Sequence, residues 1–409
     1  MRAQHGDRRR TERQVQRQTQ RRATARMTTR LVGVALLAVA LGAACTPPPT
    51  GPAPDPAPPV IHSFQAFAAR GEAPVTASYA WGVSDPNGDA LTCRLDVDGD
   101  LTWDRTYSPC SSGDLGLANF TTPGDRVAIL EVSDGDFPPV TATTTVPVAP
   151  GPSESFDITL RLPAGMRPEF AAAFQAAADR WEQVITAGLP DQQFTLLSAL
   201  VPWAPPFDGT VDDLLIDATA VDIDGVGGTL GQAGSLAVRA DGTSIYGIMQ
   251  FDAADLDRML TQGRLRNLIL HEMGHVLGIG LGWALRGLLV DVFTSPRYTG
   301  TAANAAWQEI GGTGLVPVES GGGIGTALAH WSEPVFNNEL MTGYSDPAPE
   351  PLSRITVGGL ADLGYGVDLS AADAYALPGP SVLGRSPVRT EVGDGSDHLH
   401  TTPVFPPQG

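Results

Sequence analysis

Lysine is absent: all 26 basic residues of this 409-residue chain are arginine. Ten of them fall within residues 1–44, opposed there only by Asp7 and Glu12, and the rest of the chain carries 16 Arg against 43 acidic residues, a balance near −27. A body this acidic argues against nucleic acid as a partner, because phosphate binding needs clustered positive charge. Repulsion among so many carboxylates is relieved by bound cations, which raises the expectation of structural Ca2+. Cysteine is scarce too. Of Cys45, Cys93 and Cys110, none lies in residues 150–409, so that stretch must hold together by packing, with Ca2+ as a candidate aid, and without a disulfide of its own. The apolar run at residues 31–41 is too short, and too soon followed by proline, for a transmembrane helix.

What that run does resemble is an export signal. Arg30 precedes it, and the small residues Gly42, Ala43 and Ala44 end it before Cys45. Residues 1–26 are rich in Arg and Gln without an apolar period, so Met27 is an alternative start and a basic arm the competing reading. Gly-Ala-Ala-Cys is similar to a bacterial lipoprotein processing site, although Leu41 stands one position early. The resemblance implies lipidation at Cys45, with the Pro-rich residues 45–59 as a tether. The expectation is an exported protein, a cell-surface lipoprotein or extracellular, touching membrane only through that N-terminal anchor. Cys93 and Cys110, 17 apart, then remain as a pair able to form a disulfide in an oxidising compartment.

Residues 60–149 have the pattern of a small all-β sandwich. Alternating stretches at 75–81, 91–97, 127–132 and 140–148 are separated by turn signals such as Asp85-Pro-Asn-Gly-Asp89 and Ser133-Asp-Gly-Asp136. The segment resembles immunoglobulin-like or polycystic-kidney-disease-type (PKD-like) repeats, which implies a spacing or adhesive role. Asp96, Asp98, Asp100 and Asp104 suggest a calcium loop. The glycine is misplaced for one, however, and Tyr107 stands where a bidentate Glu should be, so a solvated acidic hairpin is expected.

A short linker, 150–154, opens onto a different pattern. Residues 156–162 alternate like a strand. Phe170, Phe174, Ala178, Trp181 and Ile185 then mark one face of a helix that begins near Pro168 and ends by Gly188 and Pro190. A strand at 214–218 and a Gly/Asp-rich stretch at 222–234 follow. Asp252 is placed to cap a helix over 253–260.

Chemistry concentrates at His271-Glu-Met-Gly-His275. Residues i and i+4 share a helix face, so both imidazoles reach one ion with Glu272 beside them. Leu265, Leu268, Ile269, Met273, Val276 and Leu277 give the helix an apolar face independently of the motif, and Gly278 supplies its stop. Two surface histidines on an amphipathic helix are the bland alternative.

Catalytic zinc needs three protein ligands and an open position. A compact metzincin would place its third His at position 281, which is Leu. His5 and His62 precede the region, and His398 and His400 lie in a polar tail, which leaves His330 as the well-placed imidazole. Glu309, in a helix-like stretch over 302–310, with Glu319 and Glu333, remains the carboxylate alternative. Eleven residues past His330 comes Met341, in Asn338-Glu-Leu-Met-Thr-Gly343.

This arrangement resembles the bacterial leishmanolysin-like metzincins, in which a long insertion separates the zinc helix from the third His. Further likeness lies in Phe156-Asp-Ile-Thr-Leu160, Ala177-Ala-Asp-Arg-Trp-Glu182 and Asp362-Leu-Gly-Tyr365. The resemblance implies an α+β metzincin-type catalytic domain over residues 150–377. It implies Zn2+ on His271, His275 and His330, Glu272 as the catalytic carboxylate, and Met341 in a Met-turn beneath the metal. Tyr344 is a candidate for the substrate or oxyanion side, with an ordinary packed Tyr as its alternative. Residues 378–409, short of apolar side chains, are expected to be a disordered tail.

The function expected is therefore a zinc-dependent endopeptidase acting on protein or peptide substrates. A surface adhesin or scaffold with a vestigial zinc site, and a zinc amidase acting on cell-wall peptides, are the competing readings.

Overall fold

A computed structural model describes residues 56–323, 325–346, 349–379 and 398–401. The export segment, Cys45 and most of the tether lie outside the described residues.

The first body is a two-sheet sandwich. Strands β1 (Val60–Ala68), β2 (Val75–Ser84) and β5 (Leu115–Phe120) pair in the order β1-β2-β5. Strands β3 (Thr92–Asp96), β4 (Arg105–Tyr107), β6 (Arg126–Ser133) and β7 (Val140–Val146) pair as β4-β3-β6-β7. The alternation in β6 is what the pleat requires: Ala128, Leu130 and Val132 point into the core between the sheets. A disulfide joins Cys93 on β3 to Cys110, with the Cα atoms 5.5 Å apart.

The acidic hairpin is exposed at Asp98, Asp100 and Asp104, as expected, and departs from expectation at Asp96. Asp96 is fully buried rather than solvated, and its carboxylate accepts the amides of Asp98, Gly99 and Leu101. These bonds fold the loop back on itself.

The sandwich is also no loose spacer. Leu117 of β5 joins the core of the larger domain. The Gln308 side chain accepts from the Leu115 amide (2.7 Å) and donates to the Gly113 carbonyl (3.2 Å). The Asn119 amide nitrogen donates to the Val367 carbonyl at 2.9 Å.

The larger domain begins with β8 (Ile158–Arg161) and helix α1 (Pro168–Val184), whose first turn carries Pro168 and whose buried face is Phe170, Phe174, Ala178 and Trp181. A small hairpin, β9 (Gln192–Leu196) with β10 (Phe207–Val211), leads to β11 (Leu214–Val221). Because β11 is covered on both sides, its first five residues are all buried, the run expected of a central parallel strand. Next come β12 (Thr229–Val238), β13 (Ser244–Asp252), α2 (Ala253–Thr261) and α3 (Leu265–Val276). Asp252 caps α2 through the Ala254 amide.

The glycine-rich stretch at 222–234 divides in two. Residues 223–225 are tied by their amides to Asp252, whereas from Thr229 the chain is strand. Gly231 and Gly234 hide that strand from a pattern reading. At Gly231 a side chain would run into the helix packed over it.

Helix α4 (Leu281–Leu285) follows the Gly278 stop, where φ is +105°. Residues 265–285 are apolar enough to cross a membrane, yet 72% of that stretch is buried inside the domain. Beyond it, β14 (Leu289–Val290), β15 (Arg297–Tyr298), α5 (Thr301–Glu309) and β16 (Val316–Pro317) enclose Trp283, Tyr298 and Trp331, which stack in one aromatic cluster. Helices α6 (Glu333–Phe336) and α7 (Arg354–Asp362) complete the domain.

The main sheet runs β17-β12-β13-β11-β8, and its outermost strand β17 is His398–Thr401. Residues 398–401 of the tail are thus paired despite their composition, and the rest of the tail beyond Gly379 lies outside the described residues. An edge strand offers unpaired backbone groups to any extended segment, whatever its apolar content.

Candidate metal centre

Helix α3 is held by its apolar face. Leu265, Leu268, Ile269, Met273 and Val276 enter the main core, and the Trp181 indole of α1 donates to the Leu270 carbonyl at 3.0 Å. That anchoring directs His271, Glu272 and His275 inward, where all three are buried. His330 reaches the same point from the loop before α6 and is fully buried.

The three imidazoles meet through their ε nitrogens. Nε2 of His271 lies 3.1 Å from that of His330 and 3.0 Å from that of His275, and the third side of the triangle is 3.0 Å. Each Nδ1 faces a backbone carbonyl: Leu340 for His271 (2.6 Å), Ile279 for His275 (3.0 Å) and Thr326 for His330 (2.9 Å). A carbonyl only accepts, so each Nδ1 carries the proton and each Nε2 presents a bare lone pair. Burial, and then the neighbouring imidazoles, hold His271 and His275 well below the usual histidine range, so both stay neutral. Three converging lone pairs with no proton among them are repulsive alone and suited to a cation. Zinc–imidazole bonds of roughly 2.0–2.1 Å put tetrahedral ligands about 3.3 Å apart, so the donor set fits zinc with a few tenths of an ångström of opening.

Glu272, next to His271 along the helix, is fully buried, and neither carboxylate oxygen has a hydrogen-bond partner among the described residues. Burial alone pushes its pKa well above the carboxylate range. Gly231 of β12 makes room for it: a Cβ there would sit 3.0 Å from Oε1.

Beneath α3 lies the segment 339–341. A Cβ on Gly274 would come within 2.8 Å of the Met341 sulfur, so the methionine packs against the helix backbone between the two motif histidines. Glu339 fixes this segment. Its buried carboxylate accepts from the Met341 amide (2.7 Å), the Ser353 amide (3.1 Å), and the Ser353 and Thr356 hydroxyls (2.6 Å each). Neither Glu339 nor the Thr326 carbonyl behind His330 carries a sequence signal. Their roles arise only from chain folding.

The carboxylate rivals lie elsewhere. Glu309 is paired with Arg105 and Arg354. Glu319 accepts the amides of Ser320, Gly321 and Glu333. Tyr344 is partly buried just past Met341. Among the described residues one other trio of donors converges, Asp96, Asp98 and Asp100, but Asp96 already serves its own loop amides.

Comparison with known proteins follows the same line. Residues 199–378 match the family model described as leishmanolysin. A "leishmanolysin-like peptidase" of Drosophila pseudoobscura pseudoobscura is 36% identical over 88 residues, and its Drosophila melanogaster counterpart is 35% identical over 88. These alignments cover 20% of this chain and 12% of each relative, so the chain spans about an eighth of the length of the curated relatives it matches. The matches support a metallopeptidase. Among solved structures, the PKD domain of a peptidase from a Thermoplasmatales archaeon is 23% identical, covering 23% of this chain and 98% of that one at a TM-score of 0.20. The PKD domain of a human VPS10 domain-containing receptor is 14% identical, covering 30% and 100%, with the same TM-score.

Proposed function

We propose that this chain is a zinc-dependent endopeptidase of the leishmanolysin-like type, with His271, His275 and His330 as zinc ligands and Glu272 as the proton carrier. The reading is carried by one observation: three ε nitrogens, whose ring protons sit on Nδ1 against backbone carbonyls, converge on one point, in a motif whose Glu272 is buried with no hydrogen-bond partner among the described residues. A zinc ion bound there supplies Lewis acidity towards a carbonyl and brings the pKa of a coordinated water from 15.7 to roughly 7.

The protein's own part follows from the geometry. The backbone carbonyls of Leu340, Ile279 and Thr326 orient the three rings and hold each proton on Nδ1, while burial keeps His271 and His275 neutral. Glu272 takes a proton from the attacking water at a carboxylate oxygen and delivers it to the leaving amine nitrogen, so water is added across the peptide bond. Met341 acts as the Met-turn residue, supporting α3 at Gly274. Export through residues 1–44 and lipid attachment at Cys45 complete the proposal, with proteins or peptides as substrates.

The test is elemental analysis of the purified chain paired with casein or quenched-peptide hydrolysis, with and without chelator. One zinc per chain and chelator-sensitive cleavage are expected. Zinc retained with no cleavage of any peptide bond would overturn the peptidase reading.

A further inference from the structure

The edge of the main sheet nearest the candidate centre is β12, and it is already taken. Strand β17 pairs with it in parallel, Thr229 opposite His398, Gly231 opposite Leu399, Gln232 opposite His400 and Ala233 opposite Thr401. Gly231 is the residue that abuts Glu272, at the 3.0 Å that a Cβ would leave to Oε1. The backbone of Leu399 therefore lies one strand spacing, roughly 4.8 Å, outside the residue that lines the catalytic carboxylate. Helix α3 packs on β12 and reaches β17 as well.

β12 has one edge to offer, because its other edge is bound antiparallel to β13. An extended polypeptide gains main-chain hydrogen bonds by adding to an open sheet edge, and this edge borders Glu272. The same backbone groups cannot serve two strands at once. Eighteen residues, 380–397, join Gly379 to β17. Attachment to the same chain lets even a four-residue pairing compete with a free peptide, because it raises the effective concentration.

We propose that residues 398–401 are an internal occupant of the β12 edge and hold the centre closed to extended peptides until they are displaced. This rests on the peptidase reading above. The tail is then a strand that lowers turnover while it is seated, and its release exposes the edge that a substrate uses.

Successive residues of a strand send their amides to opposite edges, so of Leu399 and His400 one donates towards β12. The full-length L399P/H400P variant removes both amides, while L399A/H400Q keeps them. Two readouts apply to the zinc-loaded proteins: hydrogen exchange of the β12 amides over Thr229–Ala233, and kcat/KM on a quenched peptide. The proline variant should exchange these amides faster and cleave on the order of tenfold better, with L399A/H400Q near the parent. Unchanged β12 exchange, unchanged kcat/KM after protection is lost, or an equal gain in L399A/H400Q would each overturn the inference. If no variant cleaves although zinc is bound, it is the peptidase reading that fails, and β12 exchange still decides whether the tail is docked.

Discussion

The Nδ1 of His271 donates to the carbonyl of Leu340 across 2.6 Å, tying the first motif histidine to the segment that carries Met341. The helix and the turn beneath it are therefore one mechanical unit. Changes in either should be felt at the ε nitrogens.

Gly274 tests that unit from the helix side. Alanine is the better helix former by about 1 kcal/mol. Its Cβ, however, would meet the Met341 sulfur at 2.8 Å and Cε at 3.0 Å. G274A should fold with little change in melting temperature while losing roughly tenfold or more in zinc affinity, in line with what supporting residues contribute at metal sites. Zinc titration against a competing chelator measures this.

From the turn side, the residue to change is Glu339. Replacing it by Ala strands two backbone amides and two hydroxyls in the core. At about 1–3 kcal/mol for each group left unsatisfied, and with partial relaxation, a loss of about 3–5 kcal/mol in unfolding free energy is expected. Denaturant unfolding reads it directly.

A pH dependence follows from Glu333, whose pKa is pushed up to about 8 by burial and then by Asp346, Glu319 and Glu350, against the Thr342 hydroxyl. Its folded pKa lies above the unfolded value, so the folded state keeps a proton that the unfolded chain releases. Stability from this group is full below pH 4.5 and is lost as pH rises through 8. E333Q should flatten that decline. Melting temperatures of the two proteins at pH 5 and pH 8 provide the check.

Gly231 separates packing from chemistry. A methyl group there would press on Glu272 Oε1 at 3.0 Å and on the Phe251 ring at 3.1 Å. G231A should keep its zinc, because no ligand is touched, and lose on the order of tenfold in kcat by misplacing the proton carrier. Zinc content and kcat measured on the same sample distinguish this from general damage.

Much of the site was legible in the sequence because local periodicity writes it. The i, i+4 histidines, the apolar face of α3, the stop at Gly278 and the cap at Asp252 are all short-range features. His330 was reachable by elimination, since few other histidines remain. What stayed hidden depends on distant contacts. Nothing local marks Glu339 until the chain brings Ser353 and Thr356 over it. Strand β12 gave no strand pattern because Gly231 serves a neighbour far along the chain, Glu272. Strand β17 has no apolar pattern, and only the open edge it meets makes it a strand. Asp96 read as solvated for a similar reason: the burial of a hairpin carboxylate is decided by how the loop turns back.

The most direct test of the central claim is zinc content and turnover measured together on Glu272→Ala and His330→Ala, with Glu309→Ala as the comparison. The account predicts that E272A keeps one zinc per chain yet loses turnover by about 10²–10⁴-fold. H330A should lose the metal and E309A should behave as the parent. An active, metal-replete E272A, or an H330A that holds full zinc while E309A does not, would contradict it.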